Sequence, residues 1–168
     1  MHPLEADELE RFLAERGRPL LAAAKLLTGS QEAAEDLLQA ALERLIRHWS
    51  RIDGDPEGYL RRTLYNLAAD GWRRRRTRVA GLHRLSAARE DSVPDEFRLL
   101  DLRDALIRQL LTLPPRQRAV LVLRYWEGLT ETEAAALLGC SPGTIKSATS
   151  RGLARLRLLT DTPVKESR

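Results

Sequence analysis

The stretch T-E-T-E-A-A-A-L-L-G-C-S-P-G-T-I-K-S-A-T-S-R, Thr130 to Arg151, carries the densest local instruction in the chain. Thr130 and Glu133 form a T-x-x-E capping box, which predicts that a short helix starts here and runs through Leu138. Gly139-Cys140 makes a turn. Ser141 and Pro142 then supply an N-cap and a first-turn proline for a longer second helix. Ala135, Gly139 and Ile145 stand where a helix-turn-helix needs a small residue, a turn glycine and an apolar anchor. With Ile145, Ala148, Gly152 and Leu156 facing inward, the second helix presents Thr144, Lys146, Ser147, Ser150 and Arg151 outward, and Arg155 and Arg157 extend the basic edge. Short hydrogen-bonding side chains beside cations suit the major groove, where base edges and phosphates lie close together. A helical hairpin with a merely solvated polar face is the plainer alternative. Capping box, turn glycine, proline start and anchor together favour DNA binding.

The composition around this stretch points the same way. The chain has 168 residues and a net charge of +4, from 28 Lys plus Arg against 24 Asp plus Glu. Leu and Ala together number 53, Ile and Val only 9, which favours helix over strand throughout. No apolar run reaches the ~18 residues of a membrane span, and the charged N-terminus lacks a signal-peptide core. With one cysteine, Cys140, and scattered histidines (His2, His48, His83), neither a disulfide framework nor a metal cluster is expected. Cys140 reads as a small turn residue. No nucleophile–base pair, phosphate loop or paired carboxylates stand out, so no catalysis, cofactor or small-molecule substrate is expected. A cytoplasmic, all-α protein is expected.

Outward from the hairpin, the pattern divides into two helical modules. Residues 79–98 gather Gly81, Ser86, Ser92, Pro94 and the acids Glu90, Asp91, Asp95 and Glu96 without helical periodicity, which predicts a flexible linker. Upstream, residues 5–78 read as helical stretches: Glu5–Glu15, a break at Gly17 and Pro19, then Leu20–Leu27. Ser30 caps a helix from Glu32 to Trp49, with Ala34, Leu37, Leu38, Ala41, Leu42, Leu45 and Trp49 inward and Asp36, Gln39, Glu43 and Arg47 outward. Asp55-Pro56 opens a further helix with Leu60, Thr63, Leu64, Leu67, Ala68, Gly71 and Trp72 inward, ending at Arg73-Arg74-Arg75-Arg76. Downstream, residues 99–160 begin with Leu99, Leu102, Leu106, Leu110 and Leu113 at helical spacing. Pro114-Pro115 divides that helix from one through Ala119, Val122, Leu123 and Trp126, which Gly128 closes. Residues 161–168 form a tail.

Two quoted stretches carry a family resemblance. L-P-P-R-Q-R-A-V-L-V-L-R-Y-W-E-G-L-T-E-T-E-A-A-A-L-L-G-C-S-P-G-T-I-K-S-A-T-S-R-G-L-A-R-L-R, Leu113 to Arg157, resembles region 4 of bacterial sigma factors of the extracytoplasmic-function type, group 4 of the sigma-70 family. A-E-D-L-L-Q-A-A-L (Ala34–Leu42) and P-E-G-Y-L-R-R-T-L-Y-N-L-A-A-D-G-W-R-R-R-R (Pro56–Arg76) resemble region 2, and the whole is similar to the actinobacterial sigma-E-like branch. The resemblance implies that the chain recruits core RNA polymerase to promoters, region 2 melting and reading the −10 element and region 4 reading the −35 element. Its partners would be the polymerase clamp helices and flap, promoter DNA and an anti-sigma factor.

Residue by residue, the resemblance assigns Asp36, Leu38, Gln39 and Glu43 to the polymerase face, although the residue pattern alone puts Leu38 in the core. Ala40 and Leu42 stand where many members carry an acid and a phenylalanine. Arg61, Arg62, Tyr65 and Asn66, expected on the exposed side of their helix, are assigned to −10 DNA, and the loop Trp49–Gly54 to holding a flipped base. Arg73, Arg74, Arg75 and Arg76 exceed what a helix C-terminus needs and are assigned to phosphates. Thr144, Lys146, Ser147, Ser150, Arg151 and Arg155 are assigned to the −35 element, with Ala148 where many members carry arginine. A polymerase-independent regulator, dimeric on a palindrome, is the competing function; its N-terminal half would be a ligand-binding or dimerisation domain.

Overall fold

The computed structural model describes the backbone of residues 3–52, 54–71 and 97–160, and side chains over 10–52, 54–71 and 103–158. Trp72, Arg73–Arg76, nearly all of the expected linker and the tail lie outside the described residues. Among the described residues every regular element is helical. They are α1 (Pro3–Thr28), α2 (Gln31–His48), α3 (Pro56–Ala69), α4 (Phe97–Thr112), α5 (Pro115–Leu121), α6 (Glu131–Leu138) and α7 (Pro142–Thr160). A 3-10 turn, Trp49–Arg51, follows α2, and a π turn, Val122–Trp126, continues α5.

The N-terminal module is built on α1, α2 and α3. Ser30 caps α2 as expected, its hydroxyl accepting from the Ala33 amide at 3.2 Å. Asp55 caps α3 by accepting from the Gly58 amide at 2.8 Å, with Pro56 in the first turn. Leu37 and Leu45 from α2 meet Leu60 and Leu64 from α3, all fully buried. Burial of each such leucine contributes about 1.5–3 kcal/mol.

One helix reading is corrected. α1 is continuous through Gly17 and Pro19 instead of breaking there. Pro19 lies on the exposed side, while Leu13, Leu20, Ala24 and Leu27 hold one phase along the inner face. Packing of that stripe offsets the proline's missing amide bond. Trp126 follows Ala119, Val122 and Leu123, all buried, yet is itself 55% exposed. The π turn is the cause: the Glu127 amide reaches back to the Val122 carbonyl at 3.1 Å, and the extra residue in the turn shifts the helical phase.

The two modules pack against each other. The last turns of α1 lie against α4 and α5, and α3 lies against α5 and α6. Arg118 anchors this junction by donating to the Leu27 carbonyl at 2.5 Å and to the Leu110 and Leu113 carbonyls at 2.9 and 3.0 Å. The turn at Gly29 runs so close to α4 that a Cβ would press on Leu111 Cδ1, and its φ of +90° also favours glycine.

Leu45→Ala should lower stability by about 2–5 kcal/mol, whereas Ile46→Ala, at a position 44% exposed, should stay within about 0.5 kcal/mol. Urea denaturation of the two variants side by side measures the difference.

Candidate nucleic-acid interface

The helix-turn-helix forms as its residues require. Thr130 Oγ1 accepts from the Glu133 amide at 3.2 Å, and the Thr130 amide donates to Glu133 Oε2 at 2.7 Å, completing the capping box. The Thr130 backbone N–H, then its hydroxyl, hold the Glu133 carboxyl below the usual carboxylate range. Gly139 ends α6 in the left-handed region at φ +64°. Ser141 caps α7 by accepting from the Thr144 amide at 3.2 Å.

Beneath α7, Ile145 is fully buried and Ala148 nearly so. A Cβ on Gly152 would stand 3.0 Å from Leu121 Cδ1, so a small residue lets α7 approach α5 closely. Outward, Thr144, Lys146, Ser150, Arg151 and Arg155 are exposed and Ser147 is half-buried, which matches the expected face. The face can offer hydrogen bonds and positive charge to a duplex groove.

The second expected DNA surface, on α3, is arranged differently. Tyr65 is not on the exposed side: it is fully buried, because its position on α3 faces the α5 end of the other module. Its hydroxyl donates to Glu127 Oε1 at 2.8 Å. Burial, then the charge of Glu127 and that hydrogen bond, raise the Tyr65 phenol far above its ordinary range despite the opposing effect of Arg61. Arg61 pairs with Glu127 Oε2 at 2.5 Å. Arg62, exposed, donates to the Ala136 carbonyl at 2.8 Å, and Asn66, half-buried, donates to the Leu137 carbonyl at 3.3 Å. All four residues thus engage the helix-turn-helix module or the turn that precedes it.

Glu127 was not singled out from the sequence. The available signal was an acid at the end of an apolar helix, where the dipole disfavours it, so it requires a partner. Beside α3, His48, Arg51, Tyr59 and Arg62 line a cavity of about 540 Å³ that includes Ile52 and Asp55, in and next to the expected base-holding loop. The His48 and Tyr59 rings lie 6.0 Å apart. On α2, Gln39 and Glu43 are exposed, with Gln39 Nε2 donating to Glu43 Oε1 at 3.4 Å, and Asp36 and Leu38 are half-buried. Among the described residues no group of three or more His, Cys, Asp or Glu is placed to hold a metal ion. No described helix is long and apolar enough to cross a membrane.

Two helical modules, one a helix-turn-helix with an exposed basic recognition helix, define a modular DNA-binding protein. Comparison with known proteins makes this specific. Residues 12–78 match the family described as Sigma-70 region 2, and residues 103–156 match Sigma-70, region 4. The chain is 37% identical over 155 residues to the RNA polymerase sigma-E factor of Streptomyces coelicolor, covering 91% of this chain and 86% of that one. It is 40% identical over 162 residues to the ECF RNA polymerase sigma factor SigE of Mycolicibacterium smegmatis, 90% of this chain and 60% of that one. A solved structure, the sigma factor RpoE of Bartonella quintana in complex with the anti-sigma factor NepR, matches with a TM-score of 0.67 and 26% identity, over 93% of this chain and 98% of that one. The chain belongs to the extracytoplasmic-function sigma factors of the sigma-70 family, which bring core RNA polymerase to promoters for transcription initiation.

The hydrogen bonds of the capping box set a local pH dependence. A carboxyl held below its ordinary value favours the folded state above the usual carboxylate range, and that stabilisation is lost as pH falls through the lowered value. An NMR titration should give Glu133 a midpoint below that of an ordinary glutamate. Thr130→Ala should move it only part of the way back, since the backbone N–H remains.

Proposed function

We propose that region 2 of this chain spans residues 5–78 and region 4 residues 99–160, joined by residues 79–98 and followed by a tail, 161–168. Region 4 reads the −35 element through α7, with Thr144, Lys146, Ser147, Ser150 and Arg151 at base edges and phosphates and Arg155 on the backbone. The observation that carries this is the division of α7 into a buried side, Ile145 and Ala148, and an exposed basic, hydroxyl-rich side. Region 2 docks on the polymerase clamp helices through Asp36, Leu38, Gln39 and Glu43. It holds the opened −10 strand with Arg61, Arg62, Tyr65 and Asn66, the Trp49–Gly54 loop taking a flipped base and Arg73–Arg76 taking phosphates. The polar and aromatic lining of the cavity beside α3 supports the base-holding reading.

An apolar groove of about 250 Å³ lined by Leu106, Leu110, Tyr125 and Trp126 is the surface we assign to the polymerase flap. Its exposed aromatics, Tyr125 at 63% and Trp126 at 55%, favour a protein partner over solvent. The protein works in the cytoplasm as a recruiter, with no catalytic step of its own. An anti-sigma factor, of the kind that the Bartonella relative binds, would compete for these surfaces.

In vitro transcription with purified core polymerase on the promoter of the protein's own gene should give a discrete start only when both proteins are present. No start and no binding to core would overturn the proposal in favour of an independent regulator. Lys146→Ala or Arg151→Ala should weaken promoter use by about 1–3 kcal/mol; unchanged −35 footprints would remove those residues from the interface. Asp36→Arg should abolish binding to core while leaving the helical circular dichroism intact.

A further inference from the structure

The cavity beside α3 has three walls, and they come from both modules. The end of α2 and the turn after it bring His48 and Arg51, the first turns of α3 bring Asp55, Tyr59 and Arg62, and α6 brings Ala136 and Leu137. Positions 55, 59 and 62 recur at the helical period and so share one face of α3. The volume of about 540 Å³ lies within the ~300–1,000 Å³ of clefts that take a small organic ligand. The charges there do not cancel. Arg51 is exposed and makes no ion pair among the described residues. Arg62 spends Nε and Nη2 on the α6 carbonyls, at 3.4 and 2.8 Å, and keeps Nη1 for another acceptor. The carboxylate in the lining, Asp55, is committed to the Gly58 amide as the cap of α3. His48 directs Nδ1 to the Arg44 carbonyl at 2.9 Å, which leaves Nε2 for a ligand. Its ring lies 6.0 Å from that of Tyr59, tilted by 35°, and Tyr59 is half-buried. An aromatic platform thus stands beside two guanidinium groups.

We propose that this cavity is a binding site for a free nucleoside 5′-phosphate, the base lying on Tyr59 and the phosphate between Arg51 and Arg62. Guanidinium groups present paired N–H donors that match the oxygens of a phosphate. Bases of any identity stack on an aromatic ring. Inorganic phosphate uses the cations and leaves the Tyr59 face without a partner. An apolar ligand strips water from two cations and gives nothing in return. A nucleoside phosphate answers both halves of the lining. It also touches both modules at once, through Arg51 and Tyr59 on one side and the α6 wall on the other, so its binding is linked to their packing. The site needs only the cavity as the packed chain forms it and stands apart from the assignment of α3 to −10 DNA.

Isothermal titration calorimetry of the full chain with AMP tests the site, with adenosine and inorganic phosphate as the two halves of the probe. AMP is a fair choice because stacking tolerates any base. It should bind one to one, and each half should bind at least about tenfold more weakly. Arg51→Ala should weaken AMP binding about tenfold by removing a charge-assisted hydrogen bond. Arg51→Lys should retain part of that affinity, since it keeps the charge and loses the fork. Tyr59→Leu should weaken AMP binding and leave the affinity for phosphate as it was. Arg108→Ala, which removes an exposed arginine of α4 outside the cavity, should match the wild type. AMP should also shift the His48 ring signals in NMR spectra, assigned with His48→Gln, and raise the unfolding midpoint of the wild type. Equal affinities for AMP and phosphate, or an equal loss in Arg108→Ala, would reduce the effect to general anion attraction and overturn the proposal. Absence of AMP binding would overturn it too. If a single strand from the −10 region binds where AMP does not, the cavity takes a base only as part of a strand, and the −10 assignment stands without this one.

Discussion

The inner stripe of α1, Leu20, Ala23, Ala24 and Leu27, is the surface on which both modules are assembled. On one side it takes α2 and α3; its final turn takes α4 and α5. The consequences run outward from this single strip. The Leu27 carbonyl becomes the acceptor for Arg118, the turn at Gly29 must leave room for Leu111, and Leu26 joins the apolar groove beside Tyr125 and Trp126. A small side chain at Ala23 and Ala24 allows neighbouring helices to approach closely, and this closeness explains why an interior proline does not interrupt α1. The packing free energy of a shared stripe exceeds the cost of one lost backbone bond, about 3 kcal/mol.

Electrostatics then decides how the modules meet. A carboxylate at the C-terminal end of a helix is disfavoured by the dipole and by partial burial, so Glu127 is stable there only with a cation and a donor in contact. Arg61 and Tyr65 supply both. The same requirement explains why α3 faces the helix-turn-helix with its polar residues: an arginine, a tyrosine, a second arginine and an asparagine meet a carboxylate and two open carbonyls. Polar satisfaction at this junction thus draws on the donors that α3 presents.

Local rules were legible wherever the relevant groups are neighbours in sequence. The Ser30 and Asp55 caps, the Thr130–Glu133 box, the Gly139 turn and the inward Ile145 all follow from spacings of a few residues, and each formed as read. The outward face of α7 was legible for the same reason, since a single buried anchor sets the orientation of the residues around it. Pro19 and Tyr65 departed because each depends on something distant: the α1 stripe and a carboxylate 62 positions away.

The sequence by itself determined an all-helical chain, the two modules, the caps that start α2, α3, α6 and α7 and the chemical character of the α7 face. These are encoded in propensity, capping and periodicity, which act over one or two turns. Only the tertiary structure decided that α1 runs unbroken, that Tyr65 is interior, and that Glu127 closes α3 against α5 and α6. The physical reason is that burial and charge pairing belong to contacts between segments far apart along the chain, and no local pattern specifies which acceptor an arginine will find.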